Sequence, residues 1–463
     1  MLKGGMDIML IRFNVSNFLS FDELQEFSMI GGKVRSKTEH VEDDRNIKLL
    51  KFAAVYGANA AGKSNLISAM DFARTTIVEG LPDGHSNKYH KIKTSNKEKP
   101  SYFEFEIKIK DKYYAYGFEI VLSRGSIISE WLVELSSNGQ DKEIFTRDIK
   151  NKTYTIGYFE SEEILNRLDV YMQDALSEDS KLFLTILNEN KNSLYEKYPD
   201  LNVYRRVFRW FQKQLDINYP DRPISNYSYF IIEKNTSEIS NIISAFGTGI
   251  SNVKIVEASI ENIAQKIPKE VLEEVTSELE KQAKKLKNSK SKNQAGILLR
   301  GDKEFFVFNV NKDDGVKIMT IEFEHFNSES FFALSEESDG TRRLLDLIEV
   351  LLSKNSNKIY VIDEVDRCLH PQLTYKLVEA YLEVCKESQR QLIVTTHESR
   401  LLDFDLLRRD EIWFVEKDKN GHSSLYSLEA YNERFDKKID KAYLEGRYGG
   451  VPIFSTVFPL KEE

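Results

Sequence analysis

A chain of 463 residues has room for roughly two or three domains, and its 41% hydrophobic and 30% charged content is that of a water-soluble globular protein. The formal net charge of −9 excludes a broad basic field, so any contact with DNA has to be local. Two cysteines, Cys368 and Cys385, exclude a disulfide framework, and the sequence has neither an apolar run of about 18 residues nor a signal-type leader, so the expectation is a cytoplasmic protein without membrane contact.

Met6 and Met9 are alternative starts, and the residues before them read as a disordered leader. Alternation around Ile11, Phe13 and Val15 predicts a strand, followed by a turn at Ser16-Asn17 and a second strand near Gln25–Met29. Residues 31–48 are polar and read as a loop. The apolar run KLLKFAAVY then predicts a buried strand that leads into VYGANAAGKSNL. Here Gly57, Gly62, Lys63 and Ser64 fill the pattern G-x-x-x-x-G-K-S/T. Such a loop wraps its backbone N–H groups around phosphate oxygens, and glycine permits both the close approach and a positive φ. Lys63 is positioned to reach the β- and γ-phosphates, and the Ser64 hydroxyl to ligate Mg²⁺. The helix that follows, with Leu66, Ile67, Met70 and Phe72 in reach of one face, aims its N-terminal dipole at the same charge.

Residues 80–100 are rich in turn formers and read as a mobile loop. From Phe103 to Ile156 the pattern predicts an antiparallel meander, with Phe103, Phe105, Ile107 and Ile109 alternating against charged neighbours. Residues 160–215 turn helical. The segment 258–287 is predicted to be a helix, with Ile260, Ile263, Ile267, Val271, Val275, Leu279, Ala283 and Leu286 as one apolar stripe, and Pro268 kinking its early part. At roughly 1.5 Å per residue it reaches about 45 Å, the length of a short projecting hairpin. It ends in Lys281, Lys284, Lys285, Lys287, Lys290 and Lys292, read as a solvated helix end or, alternatively, as a local nucleic-acid contact. Strand patterning returns at 297–326, and helix and strand alternate from 334 to about 415. The resulting division is 1–158, a lobe with the glycine loop and meander; 159–294, a helical insertion; and 295–463, a second lobe.

The second lobe carries further chemistry. Ser338-Asp339-Gly340-Thr341 precedes a leucine-rich helix, a geometry that serves both capping and anion binding. The strand Ile359–Ile362 closes in Asp363-Glu364. Asp363 fits the role of holding Mg²⁺ through its water shell, and Glu364 that of orienting and deprotonating an attacking water. Asp366 follows, and the strand Leu392–Thr396 ends in His397, within reach of a γ-phosphate.

Together these motifs resemble an ABC-type ATPase of the SMC/RecF/OLD group. GANAAGKSN has the Asn59 and Asn65 typical of that group's phosphate loop, and NFLSF is similar to its first strand and turn. SDGTR resembles the signature motif, with Asp339 where glycine is common and Thr341 where Gln or Glu is common. YVIDE resembles the Walker B strand, Val365-Asp366 the opening of the D-loop, and His397 the switch histidine. No glutamine is placed as a Q-loop; Gln173 lies too far into the helical part. The tail, with YLEGRYGGVPIF, is similar to compact OLD-like ATPases of bacterial anti-phage systems, and size and ending are most like the ATPase of PARIS-type defence.

The resemblance implies a split α/β ATPase core with an antiparallel β lobe and an inserted helical, short coiled-coil region. It implies ATP and Mg²⁺ as ligands, with Gly57, Asn59, Gly62, Lys63, Ser64, Asn65 and Asp366 on the nucleotide. It implies an ATP-dependent dimer, or a larger even-numbered ring, in which Ser338 and Gly340 of one subunit complete the site built on Lys63 of the other. It implies a separate Toprim-type effector held until a phage-encoded trigger releases it. Only 66 residues follow His397, and Asp403-Phe404-Asp405 reads as a loop, so no nuclease is expected in this chain. A RecF-like DNA-maintenance ATPase is the alternative, with the lysine cluster as its support. A third reading, a module that holds ATP without turning it over, is opposed by Glu364.

Overall fold

The computed structural model describes residues 8–430 and Tyr443, apart from 45–46, 137–138, 158, 221–235, 260–262, 264–265, 288–293, 301–302, 312–314, 327, 353–356 and 387. It divides into two compact units, one from Met1–Ile217, Asn355–Asp366 and Leu377–Glu463, the other from Asn218–Lys354 and Arg367–Lys376.

The first unit holds two sheets. Seven strands form an antiparallel sheet in the order Thr153–Ile156, Lys142–Asp148, Ser126–Leu135, Lys112–Val121, Ser101–Ile109, Ile8–Ser16 and Gln25–Ser28. The predicted alternation has a direct physical cause: Phe103, Phe105 and Ile107 are buried on one face, while Tyr102, Glu104 and Glu106 are part-exposed on the other. Cross-strand partners bring their rings together, Phe13 tilted against Phe105 at 4.6 Å and Phe103 stacked on Phe118 at 5.3 Å, which fixes register. Helices at Glu162–Leu176, Phe183–Asn188, Asn192–Lys197 and Asn202–Lys213 realise the helical stretch. The last of these lays Phe211 against Phe105, 5.1 Å away and edge-on.

The second sheet has six strands in the order Leu215–Asn218, Ile359–Ile362, Gln391–Thr395, Phe52–Tyr56, Ile412–Lys417 and Ser423–Ser427. Strands 359–362, 391–395, 52–56 and 412–417 run parallel. Phe52–Tyr56 and Gln391–Thr395 are buried at every residue, which is why they read as unbroken apolar runs. The Gln391 side chain, fully buried, bonds Leu10 N–H, Leu10 C=O and Leu50 C=O, and so ties this sheet to the first. The segment read as a loop before it contains a short hairpin, Val41–Asp43 with Lys48–Leu50. The strand Val41–Asp43 has no buried residue, and its polar side chains hid this pairing.

In the second unit, Ile250–Glu257, Gly315–His325, Phe305–Asn311 and Gln294–Arg300 pair antiparallel in that order, with Phe331–Ala333 beside Gly315–His325. Both faces are covered. Phe305 and Val307 pack with Ile239, Ile243, Leu345 and Ile348, whereas Phe306, Phe308 and Val310 pack with Ile267, Val275 and Leu279. This corrects the reading of 258–287. The helix is Lys269–Lys287, Pro268 stands just before its first residue rather than kinking it, and Val271, Val275 and Leu279 of the stripe lie on this sheet rather than along a partner helix; Ile260 and the side chains of Ala283 and Leu286 lie outside what is described. The cut expected at 294 falls inside this unit, which includes both the helix and the strands after it. Among the described residues no helix is long and apolar enough to cross a membrane.

Candidate functional site

The loop 57–62 leaves the buried strand Phe52–Tyr56 and enters the helix Lys63–Val78. That helix is held by its buried face, Leu66, Ile67, Met70, Phe72 and Ile77, each worth about 1.5–3 kcal/mol of burial. Its N-terminus has no side-chain cap and no acid in the first turn, so its leading N–H groups and dipole are left for an anion. Glycine is required at both ends of the loop. A Cβ at Gly57 meets the Val415 carbonyl at 2.5 Å, and one at Gly62, where φ is +122°, meets Ser423 Oγ at 2.7 Å and Ser20 Oγ at 2.8 Å.

Lys63 is 5% exposed, and its Nζ donates to the carbonyls of Gly57 at 2.9 Å and Ala58 at 3.2 Å. Burial pushes the ammonium down to about 8, against the upward pull of Asp363, Glu364 and Asp366. Ser64 and Asn59 are exposed. Asn65 donates to Ser20 Oγ at 2.7 Å, so it fixes the loop from behind.

The acids sit at the end of the neighbouring strand pair. Asp363 is buried and accepts from Thr395 Oγ1 at 2.5 Å; the same hydroxyl accepts from Glu364 N–H at 2.8 Å. Glu364 has φ +47°, a left-handed turn forced directly after the strand, and such strain is held only where the surroundings over-determine it. Asp366 accepts from the His397 backbone N–H at 3.3 Å on each oxygen. His397 is exposed at the end of Gln391–Thr395; partial desolvation, then the Lys63 charge, hold its imidazole below the ordinary histidine range, with Asp366, Glu364 and Asp363 opposing.

The structure thus gathers Lys63, Asp363, Glu364, Asp366 and His397 at the carboxyl ends of three adjacent parallel strands, where open α/β sheets bind ligands. Ser338 and Gly340 belong to the other compact unit. There Ser338 is the N-cap of Asp339–Leu347, its Oγ accepting from Thr341 N–H at 3.1 Å, and a Cβ at Gly340 meets the Cys368 carbonyl at 3.0 Å. Arg342 braces the turn through the Glu337 carbonyl and Asp339. Asp403-Phe404-Asp405 is a turn in which the Asp403 carboxylate accepts from Asp405 N–H at 2.9 Å.

Sequence reading missed several supports. Ser423 Oγ donates to the Ala61 carbonyl at 2.5 Å, and its N–H donates to Ser20 at 2.8 Å. Thr395 is the hinge between the two acids. Of YLEGRYGGVPIF only Tyr443 is among the described residues: it is buried, lies over Phe414 at 5.9 Å and meets Tyr56 edge-on at 5.6 Å. Burial, then Asp366, push its phenol up to about 12. The lysine cluster lies largely outside what is described; Lys281 is exposed and pairs with Glu278 at 3.5 Å.

Comparison with known proteins matches residues 52–403 to the family described as "AAA domain, putative AbiEii toxin, Type IV TA system". No curated protein matches the chain. Similar solved structures include an SMC head domain from Thermotoga maritima, 14% identical over 90% of this chain and 98% of that one with a TM-score of 0.33. Another is the Pyrococcus furiosus Smc head domain with an extended coiled coil bound to the C-terminal domain of ScpA, 17% identical over 95% of this chain and 99% of that one, TM-score 0.35.

Proposed function

The chain belongs to this AAA-domain family, and from that premise we propose that it binds ATP with Mg²⁺ on the loop 57–64 and hydrolyses the γ-phosphate. The observation that carries the reading is the convergence of Lys63, Asp363, Glu364, Asp366 and His397 at one sheet edge. The residues fit a polyphosphate: two glycines keep the cradle open where a Cβ would fill it, and the helix end offers uncapped N–H groups. Mg²⁺, held by Ser64 and Asp363, supplies charge neutralisation when bound. Lys63 exchanges the Gly57 and Ala58 carbonyls for phosphate oxygens. Glu364 orients and deprotonates the attacking water, and His397 donates to the γ-phosphate. Asp366 positions His397 through its backbone N–H.

In this proposal ATP also biases an assembly. Ser338 and Gly340 of a second copy cover the nucleotide, and the closed dimer, or a larger even-numbered ring, serves as scaffold and sensor of an anti-phage system of the PARIS type. It holds a separate Toprim-type nuclease and releases it in response to a phage-encoded trigger protein. The support is the SDGTR helix start with its anion-compatible cap, together with the family's toxin–antitoxin description.

Glu364→Gln tests the chemistry. It is expected to keep ATP binding and lose at least about 100-fold in hydrolysis, the usual contribution of a general base. Hydrolysis at the wild-type rate overturns the assignment. A pull-down of the operon products, weighed by native mass spectrometry, tests the role. A stoichiometric second protein supports the scaffold; a bare dimer that retains only DNA replaces it with a DNA-maintenance ATPase.

A further inference from the structure

Behind the phosphate loop the first unit brings together Asp22, His90 and His422, with one ligand atom of each within 4.8 Å of the others. The segments that carry them are fixed independently. Asn17 Nδ2 donates to the carbonyls of Asn96, Lys99 and Pro100, its Oδ1 accepts from His90 N–H at 3.1 Å, and Leu19 N–H donates to the Lys88 carbonyl at 2.7 Å. The turn before His422 is closed by Asp418, whose carboxylate accepts from the N–H groups of Asn420 and His422.

The tautomer of His90 follows from its partner. Nδ1 lies 2.9 Å from the Leu19 carbonyl, which can only accept, so Nδ1 carries the proton and Nε2 presents a lone pair. This is the orienting bond that metal-bound histidines commonly make on their far nitrogen. His90 is 1% exposed, and Nε2 is buried with no hydrogen-bond partner. A buried acceptor left without a partner is unfavourable, and a ligand to Nε2 removes that deficit. His422 Nδ1 is 3.5 Å from Asp22 Oδ2, and the two rings lie 4.9 Å apart. In a tetrahedral site with bonds of about 2.0–2.1 Å, ligand atoms are about 3.4 Å apart, so modest rotation of His422 and Asp22 closes the set.

We propose that Asp22, His90 and His422 form a site for one divalent first-row transition ion, completed by water. Two imidazoles and one carboxylate suit zinc-class ions rather than Mg²⁺ or Ca²⁺. Asp22 also accepts from Asn96 at 2.6 Å and from Lys93 at 2.5 Å. The Lys93 side chain is half exposed and can swing into solvent, so the ion displaces it from Asp22. The site would clamp the two segments that grip the phosphate loop, because Ser20 and Ser423, neighbours of Asp22 and His422, are the residues packed on Gly62. It rests on no part of the ATPase reading.

The test is Zn²⁺ titration of the untagged full chain without nucleotide, in competition with a chromophoric chelator, with Co²⁺ absorption as the spectroscopic signature. One equivalent is expected, with the Co²⁺ bands lost and affinity at least about 100-fold weaker in His422→Ala, whose side chain is partly exposed and dispensable for the core. Lys93→Ala frees Asp22 and is expected to tighten binding several-fold, a gain that a merely structural role cannot give. Asp363→Asn, at the nucleotide site, is expected to leave Zn²⁺ binding unchanged. No stoichiometric Zn²⁺ in the folded wild type, or the same affinity in His422→Ala, overturns the proposal.

Discussion

Lys63 is buried, and the folded chain accommodates its charge at a cost. An ammonium held at about 8 rather than 10.5 means that the unfolded chain binds the proton more tightly between those values. The penalty is therefore complete below pH 8 and disappears as pH rises toward 10.5, at most roughly 3 kcal/mol by linkage. Lys63→Met, which cannot titrate, is expected to be more favourable relative to wild type at pH 7 than at pH 10, read from urea unfolding of nucleotide-free protein at the two pH values. It should also abolish ATP binding at both. An unfolding difference that does not move with pH removes the burial argument.

Gly62 makes a sharper demand. Its φ of +122° is costly for any side chain, about 1–3 kcal/mol, and a Cβ there collides with two serine hydroxyls. Gly62→Ala is expected to lower unfolding free energy by at least that amount and to weaken nucleotide binding in a calorimetric titration. Unchanged stability would mean that the loop relaxes away from Ser20 and Ser423.

The strand ends that bring Asp363, Glu364 and His397 near Lys63 are fixed because the strands are buried. Thr395 links Asp363 to Glu364 only because Ile359–Ile362 and Gln391–Thr395 are adjacent and parallel. The helix Lys269–Lys287 makes a different point. A stripe at helical spacing reports that one side is buried and says nothing of what buries it. Since Leu279 packs on Phe306, Phe308 and Ile318 in the same unit, Leu279→Ala is expected to cost about 2–5 kcal/mol of stability while leaving the oligomeric state unchanged. A coiled-coil contact between copies predicts dissociation instead, which native mass spectrometry at matched concentration distinguishes.

For the assembled protein, slow hydrolysis should trap whatever state ATP favours. Glu364→Gln with ATP and Mg²⁺ is expected to shift from monomer toward dimer or an even-numbered ring in light scattering, and adding Ser338→Arg should reverse the shift by blocking the capping position. Retention of the same mass with and without ATP, in both variants, would remove nucleotide as the agent of assembly.

The segments around Gly57, Gly62 and Lys63, around Asp363-Glu364 and at His397 stood out in the sequence because each is short and sets particular residue types at fixed spacing: no side chain at Gly57 and Gly62, a cation at Lys63, two acids after an apolar run. The meander was legible because period-two burial leaves period-two residues. The residues that brace the site were not legible. Ser20 and Ser423 are 403 positions apart in the chain, and nothing local marks a serine that will meet a glycine across two sheets. Nor does any spacing join Asp22, His90 and His422. Local sequence determined where the glycine loop lies and which segments would become strands. Tertiary packing decided which hydroxyls hold them in place and which surface covers each apolar stripe, because those contacts depend on where distant segments come to rest.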